Sequence, residues 1–78
     1  MKILVVDDEL GIREGCRRAL AANGFEVETA ENGPTGLAKL RAAPFDVLLV
    51  DAMMPGMSGL EVLQHARKTA PDIICIVI

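Results

Sequence analysis

The sequence predicts an α/β domain: a parallel sheet with helices on both faces. Three observations carry that reading. The runs Ile3-Leu4-Val5-Val6 and Val47-Leu48-Leu49-Val50 are apolar throughout and too short for helices. Short continuous apolar runs are the mark of strands buried on both faces, as in parallel sheets. Between and after them lie segments with helical periodicity, and strands alternating with helices define βαβ units with right-handed crossovers. Each of the two runs also stops on acid, Asp7-Asp8 after the first and Asp51 after the second.

The elements follow in order. After Asp8, Ile12, Cys16, Ala19 and Leu20 recur at helical spacing, with Arg13, Glu14, Arg17 and Arg18 on the other face. Asn23-Gly24 supplies a C-terminal stop. Phe25, Val27 and Thr29 alternate with Glu26 and Glu28, which reads as a strand with one wet face at a sheet edge. Asn32-Gly33-Pro34 makes a turn with Pro34 suited to a first helical turn, and Leu37 and Leu40 mark a short helix ending at Ala43-Pro44. Asp46 to Val50 is the third strand. Ser58 followed by Glu61 is a capping box, opening a helix through Leu60, Leu63, Ala66 and Arg67 to about Thr69. Pro71-Asp72 breaks it, and the apolar run from Ile73 to Ile78 reads as a fourth, buried strand. Gly15 and Gly36 lie inside helices, either as close-packing positions or as tolerated defects that cost about 1 kcal/mol each.

With 78 residues this is one small domain, which buries roughly 60–65% of its unfolded surface. An apolar fraction of 51% supports a core, and with only Phe25 and Phe45 as aromatics that core is aliphatic. The net charge of −3, without a basic cluster, argues against a nucleic-acid surface. Cys16 and Cys75 lack metal-ligand spacing and read as small buried thiols in a reducing compartment. No segment has the length of a membrane span and no leader pattern is seen, so a cytoplasmic protein is expected.

If the first and third strands are neighbours, Asp7, Asp8 and Asp51 converge at one edge of the sheet. Like charges in partly dry surroundings repel, and a hard divalent cation with oxygen ligands is the natural compensation. The residues therefore point to a magnesium site beside a carboxylate able to act as a nucleophile. Acids after strands also serve as caps or solvated loop charges, and that reading stands for Asp7-Asp8 taken alone.

Together these residues resemble the response-regulator receiver domain of two-component signalling. The matching strings are Val5-Val6-Asp7-Asp8-Glu9, Asn32-Gly33, Phe45-Asp46 and, most specifically, Asp51-Ala52-Met53-Met54-Pro55-Gly56-Met57-Ser58-Gly59. The resemblance covers the whole chain and about the first two-thirds of such a domain. It implies a flavodoxin-like α/β/α fold with strand order 2-1-3-4-5, here about four strands and three helices, with the ligand crevice beyond the carboxyl end of the first strand. It implies Asp51 as phosphoryl acceptor from a sensor histidine kinase. Magnesium would be held by Asp8 and Asp51, by Asp7 largely through water, and by the backbone carbonyl of Met53. Pro55 and Gly56 would shape the loop, and Gly59 would permit tight packing where the helix begins.

The family's Ser or Thr after strand four and its Lys after strand five fall beyond Ile78. Lys39 and Lys68 are poor substitutes. The resemblance leaves the output open, since receivers precede DNA-binding, ATPase or enzymatic domains or stand alone. An uncovered fourth strand leads us to expect an incomplete domain that forms a homodimer or segment-swapped oligomer through that edge. The alternative to a phospho-acceptor is thus an interaction module that is not phosphorylated. A magnesium-dependent hydrolase with an Asp nucleophile fits poorly, because Met53 stands where that class needs a second Asp. Met53, Met54 and Met57 read as loop packing rather than a binding surface, His65 as solvent-facing, and Arg13, Arg17 and Arg18 as a solvated helix face.

Overall fold

The computed structural model describes residues 1–78. Its elements are β1 (Lys2–Val6), α1 (Leu10–Ala22), β2 (Glu26–Ala30), α2 (Gly33–Ala42), β3 (Val47–Val50), α3 (Gly59–Thr69) and β4 (Ile74–Val77). The strands form one parallel sheet in the order β2-β1-β3-β4. Strand β1 is central, and Leu4, Val5 and Val6 are fully buried because a helix layer covers each of its faces. Residues alternate between those faces with the strand period of two. Leu4, Val6, Leu48 and Val50 pack with Leu37 and Leu40 of α2 and with Val62 and Ala66 of α3, forming the main core. Ile3, Val5 and Val47 meet Cys16 and Leu20 of α1 together with Phe25 and Val27.

Both helices of the larger layer are capped, α3 as the sequence predicts and α2 by Asn32, which the sequence marks only as a turn residue. The Asn32 side chain accepts from Thr35 N–H at 2.9 Å, and Pro34 sits in the first turn of α2. Ser58 and Glu61 complete a reciprocal capping box on α3. Strand β2 is at a sheet edge, as its alternation requires, but its wet face is not wholly free. Glu28 pairs with Lys2 at 3.0 Å, and Lys39 donates to the Thr29 carbonyl at 2.6 Å, so Lys39 is tied to the sheet edge rather than projecting outward.

Four sequence expectations need correction. The inward face of α3 is Val62 and Ala66, while Leu60 is 60% exposed. On α1 only Cys16 and Leu20 reach the core; Ile12 and Ala19 are exposed, because the helix lies mainly over β1 and β2 and does not extend over β4. Strand β4 is not buried: Ile74, Ile76 and Val77 are exposed, and only Ile73 before it is covered. It has a neighbour on one side alone, and the α1 layer does not extend over it. The two cysteines are free thiols, half-buried at the margins of the core rather than fully buried.

The two helical glycines divide. A methyl group on Gly36 would come within 2.8 Å of Val6 Cγ2, so α2 sits close on β1 there. Gly15 faces open space and is a tolerated defect.

Candidate metal and phosphoryl site

The parallel register aligns Val6 with Val50, so Asp7 and Asp51 leave adjacent strands at the same end. Asp51 N–H donates to the Val6 carbonyl at 3.0 Å, extending the ladder one residue into the site. The carboxylates of Asp7, Asp8 and Asp51 each offer an oxygen within 4.8 Å of the others, as the sequence anticipates. Their burial grades outward: Asp7 is buried, Asp51 half-buried and Asp8 exposed. The cluster thus has a dry floor and an open mouth, and its donor set of carboxylate oxygens suits a hard divalent cation.

Each carboxylate is steered by local backbone. Asp7 Oδ1 accepts Glu9 N–H at 2.9 Å, a tight turn where β1 ends. Asp51 Oδ1 accepts Met53 N–H at 3.0 Å, the same device on the second loop. Each contact engages Oδ1 and leaves Oδ2 outside the turn hydrogen bond. Met53 itself has a side chain 83% exposed, so only its backbone belongs to the loop geometry. Met54 is buried in the core and Met57 packs against it, which makes loop packing the role of those two methionines.

Two glycines let the β3–α3 loop close. Gly56 has φ +76, a left-handed conformation that side chains rarely adopt. Gly59 is wedged against Asp51: a methyl group there would collide with the Asp51 carbonyl oxygen and lie 2.8 Å from both Ala52 Cα and the Asp51 carbonyl carbon. Its N–H donates to the Ala52 carbonyl at 3.1 Å. The start of α3 is therefore locked to the backbone of the candidate acceptor. His65 is exposed on α3, as expected. One contact near the site is absent from the sequence reading. Arg13 Nη1 donates to the Asp7 carbonyl at 2.8 Å, so Arg13 is half-buried and turned toward the site rather than solvated. Only its spacing of six residues from Asp7 could have signalled this.

A parallel α/β sheet with order 2-1-3-4 and acids gathered beyond its central strands has the architecture of flavodoxin-like receiver domains. The family model for the response regulator receiver domain matches residues 3–78, and the chain belongs to that family. Among curated relatives, response regulator MprA of Mycobacterium avium is 42% identical over 78 residues, all of this chain and 34% of that protein. This chain thus spans about a third of the length of the relatives it matches. Among solved structures, chemotaxis protein CheY4 of Vibrio cholerae superimposes with TM-score 0.94 at 37% identity, covering 97% of this chain and 65% of that one. Response regulator TrrA of Thermotoga maritima, solved in complex with Mg2+-BeF, gives TM-score 0.92 at 45% identity over 97% of this chain and 66% of TrrA. A structure of histidine kinase ThkA in complex with TrrA matches at TM-score 0.90 with the same identity and coverage.

Proposed function

We propose that this chain is the N-terminal two-thirds of a phospho-accepting receiver, in which Asp51 takes a phosphoryl group from a phosphohistidine of a sensor histidine kinase, with Mg2+ as cofactor. The observation that carries this reading is the convergence of Asp7, Asp8 and Asp51 within 4.8 Å beyond two adjacent strands. The complexes of TrrA with Mg2+-BeF and with ThkA support it by analogy. A cytoplasmic setting goes with the reading, and no helix here is long and apolar enough to cross a membrane.

The residues divide the work. Asp8 and Asp51 would hold the cation directly, Asp7 largely through water, and Met53 through its carbonyl. When bound, the cation neutralises the carboxylate cluster and the charge on the phosphoryl oxygens. Asp51 presents the oxygen not engaged by Met53 N–H. That oxygen forms the new O–P bond as the N–P bond of the phosphohistidine breaks, its electron pair staying on the imidazole. Phosphoryl transfer of this kind depends mainly on positioning and electrostatics, which the Asp51–Met53 and Gly59–Ala52 contacts supply. The product is a reactive acyl phosphate, suited to a reversible signal.

Incubation with acetyl phosphate and Mg2+, followed by intact mass, tests the proposal. A gain of one phosphoryl group that is lost in Asp51→Asn is expected. No gain in the parent overturns it.

A second reading is favoured by one observation, the exposure of Ile74, Ile76 and Val77 on β4. An unpaired apolar edge templates pairing with another chain. On this reading the module pairs as a homodimer or segment-swapped oligomer without phosphorylation. Sedimentation showing a folded monomer at high micromolar concentration would exclude it.

A further inference from the structure

Asp7 is the one buried charged residue of the chain, and it is held at three points. Its N–H donates to the Ala30 carbonyl at 3.1 Å, and its Oδ1 accepts Glu9 N–H at 2.9 Å. Its own carbonyl lies one residue past the end of β1, where no backbone N–H reaches it. Arg13 fills that gap, reaching back from the first turns of α1 to place Nη1 at 2.8 Å. No other side chain of α1 reaches back to this turn, and the capping is weak. Glu9 at the N-cap makes no side-chain capping bond, and the first turn contains no acidic residue. The β1–α1 turn, which carries both Asp7 and Asp8, is thus held from α1 by one side chain, the Arg13 guanidinium, in addition to the Asp7–Glu9 contact within the turn.

We infer that Arg13 is a positioning residue of the site: by holding the Asp7 carbonyl it fixes the turn that presents Asp7 and Asp8 beside Asp51. The inference rests on the receiver reading for its purpose, but its geometry stands apart from it. A charged donor on a carbonyl is among the stronger hydrogen bonds, and a carbonyl left unpaired in a half-buried position carries a desolvation penalty. Without Arg13 the turn relaxes, and the two carboxylates no longer share one fixed arrangement. Partners that orient metal ligands without touching the metal commonly change affinity by about 10–100-fold.

The test uses the full chain and Mg2+ alone. Arg13→Met removes the donor but keeps an unbranched apolar stem; Arg13→Lys keeps a donor and the charge. Arg17→Met is the matched control, because Arg17 lies on the same helix and is committed to Glu14 at 2.9 and 2.7 Å. Two readouts are taken by NMR: the Mg2+ affinity, and hydrogen exchange at the Glu9 amide, which Asp7 Oδ1 accepts. Arg13→Met is expected to weaken Mg2+ binding about tenfold and to speed Glu9 exchange. Arg17→Met should leave both unchanged, and Arg13→Lys should restore most of the loss. Parent-like affinity and exchange in Arg13→Met overturn the inference and leave the receiver reading intact. Equal weakening in both Met variants also overturns it, since the effect would then be general loss of α1. If the parent binds no Mg2+, the functional reading falls. Glu9 exchange then decides the role of Arg13 by itself: faster in Arg13→Met than in Arg17→Met supports it, and equal rates refute it.

Discussion

Adding one methyl group at Gly59 should damage stability and phosphoryl acceptance together. In Gly59→Ala the new Cβ meets the Asp51 carbonyl oxygen and comes within 2.8 Å of Ala52 Cα and the Asp51 carbonyl carbon. Relaxed carbon–carbon contacts lie at about 3.5–4.0 Å, so about 0.7–1.2 Å must be found. All three neighbours are backbone, and that backbone is fixed. Asp51 N–H is bonded to Val6, and Ala52 N–H to Ile78, each at 3.0 Å. Overpacking of this kind costs about 1–3 kcal/mol. Withdrawal of α3 would also break the bond from Gly59 N–H to the Ala52 carbonyl, worth about 1 kcal/mol. The sum is about 3 kcal/mol, a large share of the ~4–12 kcal/mol available to a domain of this size. At roughly 4–8 °C per kcal/mol, Tm should fall by about 12–24 °C. Circular dichroism is the suitable probe, since the chain has no Trp or Tyr. If α3 holds its place and Asp51 moves instead, a displacement near 1 Å costs phosphoryl acceptance about 100-fold. A Gly59→Ala variant with parent Tm and parent phosphorylation rate would refute the close-packing argument.

Three further outcomes are expected. Gly15→Ala, at a helical position facing open space, should raise stability by up to about 1 kcal/mol, seen as a higher Tm; a fall would mean the site is packed after all. Ser58→Ala removes the acceptor for Glu61 N–H and should cost about 1 kcal/mol by urea titration, with no loss meaning that water caps α3 equally well. Burial pushes the Cys75 thiol above its ordinary value near 9, with Arg67 opposing. Above that pH the unfolded chain sheds its proton while the folded one keeps it, so this group's stability contribution, intact below about pH 9, is lost as pH climbs. In a Cys16→Ala background, alkylation of folded Cys75 should titrate at higher pH than in urea, and coincident curves would contradict the burial.

Much of the fold was legible because its signals are local. Apolar runs, turn glycines and the Ser58–Glu61 box report on backbone geometry within a few residues, so element bounds follow with shifts of a residue or two, while the strand order was implied by the family resemblance. The candidate site was legible for a different reason: acids at matching ends of two strands need only a parallel register to converge. What failed depended on neighbours. Leu60 looked like a core residue, yet the inward face of α3 is set by how the helix meets α2 and β3, which chose Val62 and Ala66. Strand β4 looked buried because it is apolar, but hydropathy records what a strand can bury, not what lies over it. Gly15 and Gly36 were indistinguishable by helix propensity and differ only in what stands opposite. Arg13 looked solvated because periodicity assigns a helix face and cannot show a long side chain turning back past the N-cap.

The sequence by itself determined the alternation of strands and helices, the family resemblance and the identity of the three carboxylates, since these rest on residue type and short-range spacing. Only the tertiary structure decided that Asp7 is buried while Asp8 is exposed, that Gly59 abuts the Asp51 backbone, and that Arg13 bonds the turn between β1 and α1. Each of those depends on atoms that approach one another only after the sheet and its helices have packed.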